Sequence, residues 1–470
     1  MPTWENVGFS APLFLNVKEE ALRRGQAVLE NCFHNEQGGQ SRFPGLKPFV
    51  TLSGSLPVYL GTWKGDLIAV SGGQVYRIRP DGVATDVTDV AVNGDRRVTF
   101  EETPTELAMA AGGPIVRLSG EKTELLSLEA PEATHVGFID GYLIAILPDS
   151  GLFEHSEAND TRNWDPIDTF AAASKPDHIT GMVVTAFDEL ILSGPRSVEQ
   201  FERLPTGDIP FFRRWNMGEG IILPYTLLFA DNAVWGVNDK REFVRMSGQV
   251  TQPASGAIQD FIERKVDVRE AWTALLHIRG QKFIVLQFPN GLNRYGTEGI
   301  TFLFDYRQNR WSELYDWDQN EIVPKRWPGW SVITLPEFGH EERHFVGGEG
   351  RIYELDPAVY TNDGRTQRWR CRSAHIDAWG ESEVQNLRIR VKRGVGTYDA
   401  DATIKVRVHR DDKAVTRWVQ RSLGKSGDRN MILEFGAMGQ AQLWQFEYEV
   451  TDAVELEVSA VQALIERIGY

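Results

Sequence analysis

The chain has 470 residues, and 66 acidic against 50 basic side chains give it a formal net charge of −16. With 41% hydrophobic and 25% charged residues it resembles ordinary globular proteins, and no apolar run reaches the ~18 residues of a membrane helix. The length predicts two or three domains, with two fitting best. The negative charge disfavours a protein that grips nucleic-acid phosphates. No secretory signal is readable at the N-terminus, so we expect a water-soluble chain that stays in the cytoplasm where it is made.

The cysteine content argues against covalent or metal cross-links. Only Cys32 and Cys371 are present, they fall in segments predicted to belong to different domains, and neither lies in a Cys-x-x-Cys pair. We therefore expect two buried, reduced thiols and neither a disulfide nor a structural zinc ion.

Helical periodicity is confined to two segments. Residues Val17 to Cys32 show it with Asn16 placed as a cap, which predicts one helix in an N-terminal arm over residues 1–40. A shorter helix is predicted from Ala257 to Lys265, with Ile258, Phe261 and Ile262 on one face.

Residues 41–362 are mostly short apolar runs separated by turns, which predicts a mainly β structure. A strand, a turn with Gly or Asp, and a second strand recur about seven times at a spacing of roughly 35 to 50 residues, which is typical of four-stranded propeller blades. We predict a β-propeller of six or seven blades. A pair of stacked β-sandwiches is the alternative. Segments that carry the repeat include 66–78, 107–118, 141–155, 189–201, 233–245, 282–305 and 344–355.

The pattern of apolar and charged residues changes after the turn Asn362-Asp363-Gly364. Longer strands such as 387–392 and 404–409 alternate apolar residues with Arg and Lys, and the strands 443–450 and 454–458 alternate them with acidic residues. This is the pattern of half-buried antiparallel strands. Residues 363–470 are therefore predicted to form a C-terminal antiparallel β-sandwich domain.

Motifs of catalysis and metal binding are missing or poorly placed. His340 and His344 share an i, i+4 spacing, but flanking Gly and Pro residues predict a loop and a strand, where the rings would not converge on a metal. The chain has no Gly-x-Ser-x-Gly elbow and no phosphate loop ending in Gly-Lys-Ser/Thr. We predict no enzymatic activity, no catalytic, cofactor-binding or metal-binding residues, and no cofactor.

Two residue groups admit a functional interpretation but a structural one is favoured. Carboxylate pairs such as Glu101-Glu102 and Asp188-Glu189 point to opposite faces of a strand and cannot act on one bond. Clustered tryptophans can bind sugars, but more often they fill gaps between blades. The clustered tryptophans are Trp311, Trp317, Trp327 and Trp330.

Several segments resemble one protein family in order and spacing. These are Asn163–Gly181, Glu189–Gly194, Ser197–Phe201, Thr206–Arg214, Phe304–Tyr306 with Trp311–Glu313, and, near the start, Asn31–Phe33 with Phe43–Leu46. They are similar to tail hub or nozzle proteins of short-tailed bacteriophages, a family of packaged-DNA stabilisation and head-closure proteins. The chain departs from the family pattern at Pro195, which puts the geometry of that hairpin in question.

The resemblance implies a structural virion protein of the phage tail, assembled in the host cytoplasm. It implies a homo-hexameric hub below the portal and adaptor rings that closes the head, retains packaged DNA and attaches a tail needle or plug and tail fibres or tailspikes. The alternatives are a propeller glycosidase or lyase acting on host surface polysaccharide, and a carbohydrate-binding propeller without catalysis.

The net charge bears on how such a hub would handle DNA. An acidic or neutral channel wall lets genomic DNA pass without tight binding, whereas a basic wall would hold it. We expect a mainly acidic channel, with the basic residues of strands 387–392 and 404–410 facing neighbouring subunits, and no insertion into a membrane.

Overall fold

The structure is a computed structural model, and it describes residues 2–9, 27–172, 174–204, 210–263, 267–318, 323–393, 402–411, 413–414, 417–425 and 429–468. Within these ranges the chain is almost entirely β, with one short helix. None of the described helical residues forms a segment long and apolar enough to cross a membrane.

Five strands precede the repeating part of the chain. They are β1 (Thr3–Asn6), β2 (Val28–Glu30), β3 (Cys32–His34), β4 (Gln40–Arg42) and β5 (Gly45–Thr51).

The next twenty strands form five separate four-stranded antiparallel sheets, each built from consecutive strands. The first sheet contains β6 (Val58–Trp63), β7 (Asp66–Ser71), β8 (Gln74–Ile78) and β9 (Ala84–Asp86). The second contains β10 (Thr99–Glu102), β11 (Leu107–Ala110), β12 (Val116–Leu118) and β13 (Thr123–Leu125). The third contains β14 (His135–Ile139), β15 (Tyr142–Ile146), β16 (Leu152–Glu157) and β17 (Asp160–Ala171). The fourth contains β18 (Gly181–Val184), β19 (Glu189–Ser193), β20 (Val198–Arg203) and β21 (Phe211–Met217). The fifth contains β22 (Leu228–Ala230), β23 (Ala233–Val237), β24 (Phe243–Ser247) and β25 (Val250–Pro253).

The helix and ten further strands complete the ring. They are α1 (Gln259–Glu263), β26 (Trp272–Ile278), β27 (Gln281–Leu292), β28 (Glu298–Asp305), β29 (Arg310–Asp318), β30 (Val323–Arg326), β31 (Ser331–Leu335), β32 (Arg343–Gly347), β33 (Arg351–Asp356), β34 (Thr361–Asn362) and β35 (Arg365–Thr366). Strands β31–β33 join β5, β34 and β35 in a sixth blade, so strands from both ends of the propeller close the circle. Strands β26–β29 fill the sector between β22 and β31. The predicted propeller is confirmed, with six separate blade sheets and this additional sector.

The core of the propeller lies between the sheets. On β7, Leu67 and Ala69 pack in the cluster shared with β31–β33, whereas Ile68 and Val70 pack in the cluster shared with the second blade. Because consecutive residues of a strand point to opposite faces, a sheet buried on both faces needs a continuous apolar run. This is why the repeats read as short, uninterrupted apolar stretches.

The C-terminal strands extend the sector sheet. They are β36 (Trp369–Arg372), β37 (Ile376–Arg393), β38 (Thr403–Arg410), β39 (Lys413–Ala414), β40 (Val419–Ser422), β41 (Arg429–Glu434), β42 (Gly439–Val450) and β43 (Glu457–Arg467). Strand β2 lies between β29 and β36, parallel to the first and antiparallel to the second, and β36 continues to β42 and then β38. The C-terminal part is thus continuous with the propeller through β2.

The prediction of a C-terminal β-sandwich is only partly right. The strands are antiparallel, but part of them forms one curled sheet. Strand β37 pairs with β42 and also with β43 in this sheet. Its register shifts between Asp377 and Ser382, where Trp379 has φ 53° and Gly380 has φ 148°. This bend lets one 18-residue strand pair first with β42 and then with β43. The division of the chain after residues 40 and 362 stays a prediction.

The predicted N-terminal helix from Val17 to Cys32 is not supported. Residues 17–26 lie outside the described part of the chain, and the rest of the segment forms β2 and the start of β3. Asn31 between them has φ 54°, which a helix does not accept. The strand pairs of β2 with β29 and β36 outweigh the local helical periodicity. The second predicted helix is confirmed at its centre, where α1 buries Phe261 and Ile262, while Lys265 lies outside the described residues.

Candidate functional site

The first strands of three blades, β10, β14 and β18, and residues 224–227 before β22 line a cavity of about 440 Å³. We call it the axial cavity, because the first strands of successive blades contact one another around the propeller axis. Its size is that of a small-molecule pocket. The polar side chains that line the cavity come from different blades, so no local motif in the sequence predicts the cavity. The lining includes Arg97, Thr99, Phe100, Glu101, His135, Phe138, Met182, Val184, Tyr225 and Leu227.

Arg97 is held between two aromatic rings at this cavity. Its guanidinium lies 5.0 Å from the ring centroid of Tyr59 and 4.8 Å from that of Trp272. Its Nη2 donates to the carbonyl oxygen of Trp330 at 2.5 Å. Burial lowers the pKa of Arg97 to about 10, which leaves it charged at neutral pH.

His135 and Tyr225 stack on one another beside Arg97, with ring centroids 5.2 Å apart. Burial, with a smaller effect of the nearby Arg96, lowers the pKa of His135 to about 4, so the imidazole is neutral at pH 7. Nδ1 contacts Thr134 Oγ1 at 3.1 Å, whereas the buried Nε2 makes no hydrogen bond within the described residues. One buried polar atom beside the cavity is therefore left without a partner among the described residues.

The cavity has a single carboxyl group among the described residues that line it, that of Glu101. Burial raises the pKa of Glu101 to about 8, so the group is largely protonated at neutral pH. The neighbouring Glu102 points elsewhere and accepts from Thr62 Oγ1 and the backbone N–H of Lys64. Adjacent residues of β10 thus face opposite sides, as predicted, and the paired carboxylates of glycoside hydrolysis are not assembled here.

The second predicted carboxylate pair is also engaged in structure. Glu189 accepts from Gln200 Nε2 at 2.7 Å and from Thr185 Oγ1 at 3.1 Å. Asp188 lies in the preceding turn with φ 55°. Neither residue lines the axial cavity.

The two histidines of the i, i+4 pair do not form a metal site. His340 lies in a turn with φ 73°, and His344 lies on β32, where Nδ1 contacts Thr334 Oγ1 at 3.0 Å. Nε2 of His344 is 3.6 Å from the Glu342 carboxylate. Across the described ranges, no three His, Cys, Asp or Glu side chains gather where they could hold a metal ion.

The clustered tryptophans pack within the protein. Trp311 stacks on Phe304 with centroids 4.2 Å apart, and Trp327 is fully buried. Trp330 and Trp317 each lie against an arginine guanidinium, at 4.3 Å and 4.5 Å. The gap-filling role favoured from the sequence is the one that the structure shows.

A buried ion network joins the propeller to the C-terminal strands. Glu30 on β2 accepts from Arg368 through Nε at 2.8 Å and Nη2 at 2.9 Å. The hydroxyl of Tyr295 donates to Glu30 at 2.6 Å and accepts from Arg370 at 3.0 Å. Arg370 then donates to Glu447 on β42 at 2.5 Å. Sequence reasoning missed this network because its directly bonded members lie up to 338 residues apart.

The segments that carried the family resemblance have structural roles in the fourth blade. The Asp177 carboxylate accepts from the backbone N–H of Arg196 at 2.8 Å and from Ser197 Oγ at 3.3 Å. Gly194 N–H donates to the Ser197 carbonyl at 2.8 Å, so the hairpin closes around Pro195. Residues 206–209 of the resemblance lie outside the described part of the chain.

The sequence matches a family model described as bacteriophage P22 Gp10, beta-propeller, over residues 26–359. The chain belongs to this family of β-propeller phage tail proteins. It is therefore a structural phage protein and a component of the virion. The matched range spans β2 to β33, so the predicted family is confirmed and β36–β43 lie beyond the match.

Comparison with curated proteins and solved structures adds little to the Gp10-family assignment. No curated protein matches. The extracellular domain of BT4673 from B. thetaiotaomicron is 12% identical with a TM-score of 0.46, and the match covers 83% of this chain but only 47% of that one. A streptogramin B lyase is 12% identical with a TM-score of 0.44, covering 66% of this chain and 97% of that one. Virginiamycin B lyase from Staphylococcus aureus is 11% identical with a TM-score of 0.41, covering 65% and 96%.

Proposed function

We propose that this Gp10-family chain forms a homo-hexameric hub or nozzle below the portal and adaptor rings, where it closes the head and retains packaged DNA. The family match, which spans the propeller from β2 to β33, is the observation that carries the proposal. In this hub the chain acts as a structural part without catalytic activity. It also provides attachment for a tail needle or plug and for tail fibres or tailspikes.

The axial cavity supports a DNA channel that lies between subunits of an oligomer over one that runs through a single propeller. At about 440 Å³, with Arg97 clamped between Tyr59 and Trp272 beside it, the cavity has the volume of a small-molecule site and cannot pass a DNA duplex. A DNA channel must then lie between subunits. A closed ring of copies provides such a channel.

Exposed apolar side chains on the propeller rim support contacts with other proteins. Leu128 follows β13, Ile167 lies on β17, and both strands are the outermost of neighbouring blades. Their exposed fractions are 94% and 86%. Trp379 at the bend of β37 is 83% exposed. These side chains are the most exposed large apolar groups of the described residues, and we propose them as the first positions to test for contacts with other proteins.

The test is electron microscopy of the purified chain, alone and mixed with portal and adaptor rings. We expect six-fold rings with a central channel in the mixture. Ile167→Asp should weaken ring formation, whereas Arg162→Asp, at an exposed position on the same strand, should not. A chain that stays monomeric in the presence of the adaptor would contradict the hub.

The axial cavity favours a carbohydrate-binding propeller as the second candidate. The residues that line the cavity include the aromatic rings of Tyr225 and Phe138, the Arg97 guanidinium and the His135 imidazole, which are groups suited to a neutral sugar. Saturable binding of host polysaccharide that is lost in His135→Phe would favour this function. Turnover of the polysaccharide would instead favour a glycosidase or lyase.

A further inference from the structure

The two cysteines of the chain meet in the core, although 339 positions separate them. The Sγ atoms of Cys32 on β3 and Cys371 on β36 are 3.6 Å apart. Both side chains are buried, as predicted from the sequence, and the two sulfurs are not bonded to one another in this structure. Their contact was not foreseen, because neither cysteine lies in a local motif and the pairing depends on β2 lying against β36.

The surroundings hold the two thiols in place. Cys371 follows Trp369 on β36, and the indole Nε1 of Trp369 donates to Cys371 Sγ at 3.2 Å. The rings of Trp369 and Tyr448 meet edge to face at 5.6 Å, and Phe9 packs on the other side of Tyr448 at 5.3 Å. Aromatic packing of this kind leaves the sulfur atoms facing one another with little freedom to move apart.

A cross-link between these two residues would enclose a large part of the chain. Cys32 precedes β5 and Cys371 follows β35, so all blades lie between them in the chain. The non-covalent closure of the ring is the pairing of β5 with β33 and β34. A bond between the two sulfurs would add a covalent closure at the same point of the circle.

We propose that Cys32 and Cys371 are an oxidation site that forms an intramolecular disulfide. The disulfide would close a covalent loop that contains all blades of the propeller. A disulfide closing a long loop restricts the unfolded chain more than one closing a short loop, so the stabilisation should be large. The sulfurs must approach from 3.6 Å to about 2.05 Å for the bond to form.

A small hydroperoxide is the oxidant of this reaction. The Cys371 thiolate, whose sulfur accepts the Trp369 N–H, attacks one peroxide oxygen. The S–O bond forms, the O–O bond breaks, and the leaving hydroxide takes up the thiol proton as water. Cys32 Sγ then attacks the sulfenic sulfur, the S–S bond forms, the S–O bond breaks, and hydroxide leaves with the Cys32 proton as a second water. The two cysteines lose two electrons and the peroxide gains them.

The rate should rise with pH. A thiolate is the nucleophile in both steps, and burial raises the pKa of the Cys32 thiol, which attacks in the second step, well above its usual value. The reaction is therefore slow at neutral pH and faster in mild alkali.

The experiment treats the native full-length chain with hydrogen peroxide and then denatures it for analysis. We expect the intact mass to fall by two hydrogen atoms, titratable thiols to fall from two to none, and peptide mapping to join the Cys32 and Cys371 peptides. The unfolded chain should run faster on a non-reducing gel, and a reductant should reverse each change. The oxidised protein should unfold at higher urea concentration than the reduced protein.

Single variants separate the two thiols. Cys32→Ser retains the thiol that reacts first, so a dimedone-trapped sulfenic acid should accumulate on Cys371. Cys371→Ser should give neither the adduct at that rate nor the link, and circular dichroism confirms that each variant folds. Native protein that keeps both thiols while the urea-unfolded chain becomes oxidised would overturn the proposal. Cross-links between chains instead of within one would overturn it as well.

Discussion

Replacing Glu447 by glutamine removes one buried carboxylate from the centre of three basic side chains. Glu447 is fully buried, and its oxygens accept from Arg370 Nε at 2.5 Å, Arg407 Nε at 3.0 Å and His409 Nε2 at 2.5 Å. Glutamine keeps the shape and one acceptor oxygen, but its NH₂ group faces donors that no longer have a partner. The change therefore leaves buried positive charges without a neutralising carboxylate.

The expected loss of unfolding free energy is about 3–5 kcal/mol, the usual range when one partner of a buried ion pair is removed. Burial alone would raise the pKa of Glu447, but the hydrogen bond from His409 and the charges of Arg370 and Arg407 lower it far below its usual range. A depressed carboxylate pKa stabilises the fold at pH values above the pKa of the unfolded chain, and this stabilisation is lost as the pH falls. The difference between the wild type and Glu447→Gln should thus be full at pH 7 and shrink below about pH 4.

Guanidinium chloride titrations followed by tryptophan fluorescence at pH 7 measure the effect, since Trp369 and Trp444 are buried near the network. Glu434→Gln is the matched control, because Glu434 is exposed on β41, and its effect should stay within about 0.5 kcal/mol. A loss below about 1 kcal/mol in Glu447→Gln, or an equal loss in the control, would refute the view that a buried network ties the propeller to the C-terminal strands.

Three further predictions test the packing and the charge of the molecule. Trp235→Ala should destabilise the fold by about 3 kcal/mol, because Trp235 is 2% exposed and stacks on Phe243, whereas Trp379→Ala should leave the denaturation midpoint unchanged. Gly220→Ala should cost about 1–3 kcal/mol, since a Cβ there would lie 2.2 Å from a backbone carbon of the 194–197 hairpin, while Gly218→Ala meets open space and serves as its control in the same titration. The purified ring should bind duplex DNA weakly even at low salt in a mobility-shift assay, and tight binding that added salt abolishes would favour a DNA clamp.

The blades could be predicted because each one carries its signal locally. Runs such as Leu67–Val70 and Ala233–Val237 are apolar at every position because both faces of each sheet pack on a neighbour. The turns between strands can also be predicted from their Asp and Gly residues, such as Asp140 and Gly141, which both have positive φ.

The features that escaped prediction depend on contacts between distant parts of the chain. Residues Val28–Glu30 show helical periodicity, yet they form a strand because β29 and β36 offer backbone partners on both sides. The axial cavity brings Arg97, His135 and Tyr225 together from three blades. Neither arrangement leaves a pattern within a window of ten or twenty residues, so propensity and periodicity could not reveal them.

The charge distribution gives the proposed DNA channel its physical basis. The basic residues of strands 387–392 and 404–410 were expected to face neighbouring subunits, but several are already neutralised within the chain. Lys392 donates to Glu457 at 2.8 Å, and Arg407 donates to Glu447 at 3.0 Å and 3.1 Å. Arg388 lies 3.8 Å from the ring centroid of Trp4 on β1. Because these cations have partners within the chain and the net charge is −16, the protein as a whole repels phosphates more than it attracts them. Retention of DNA by such a hub would then depend on a closed constriction or a plug and not on affinity for the duplex.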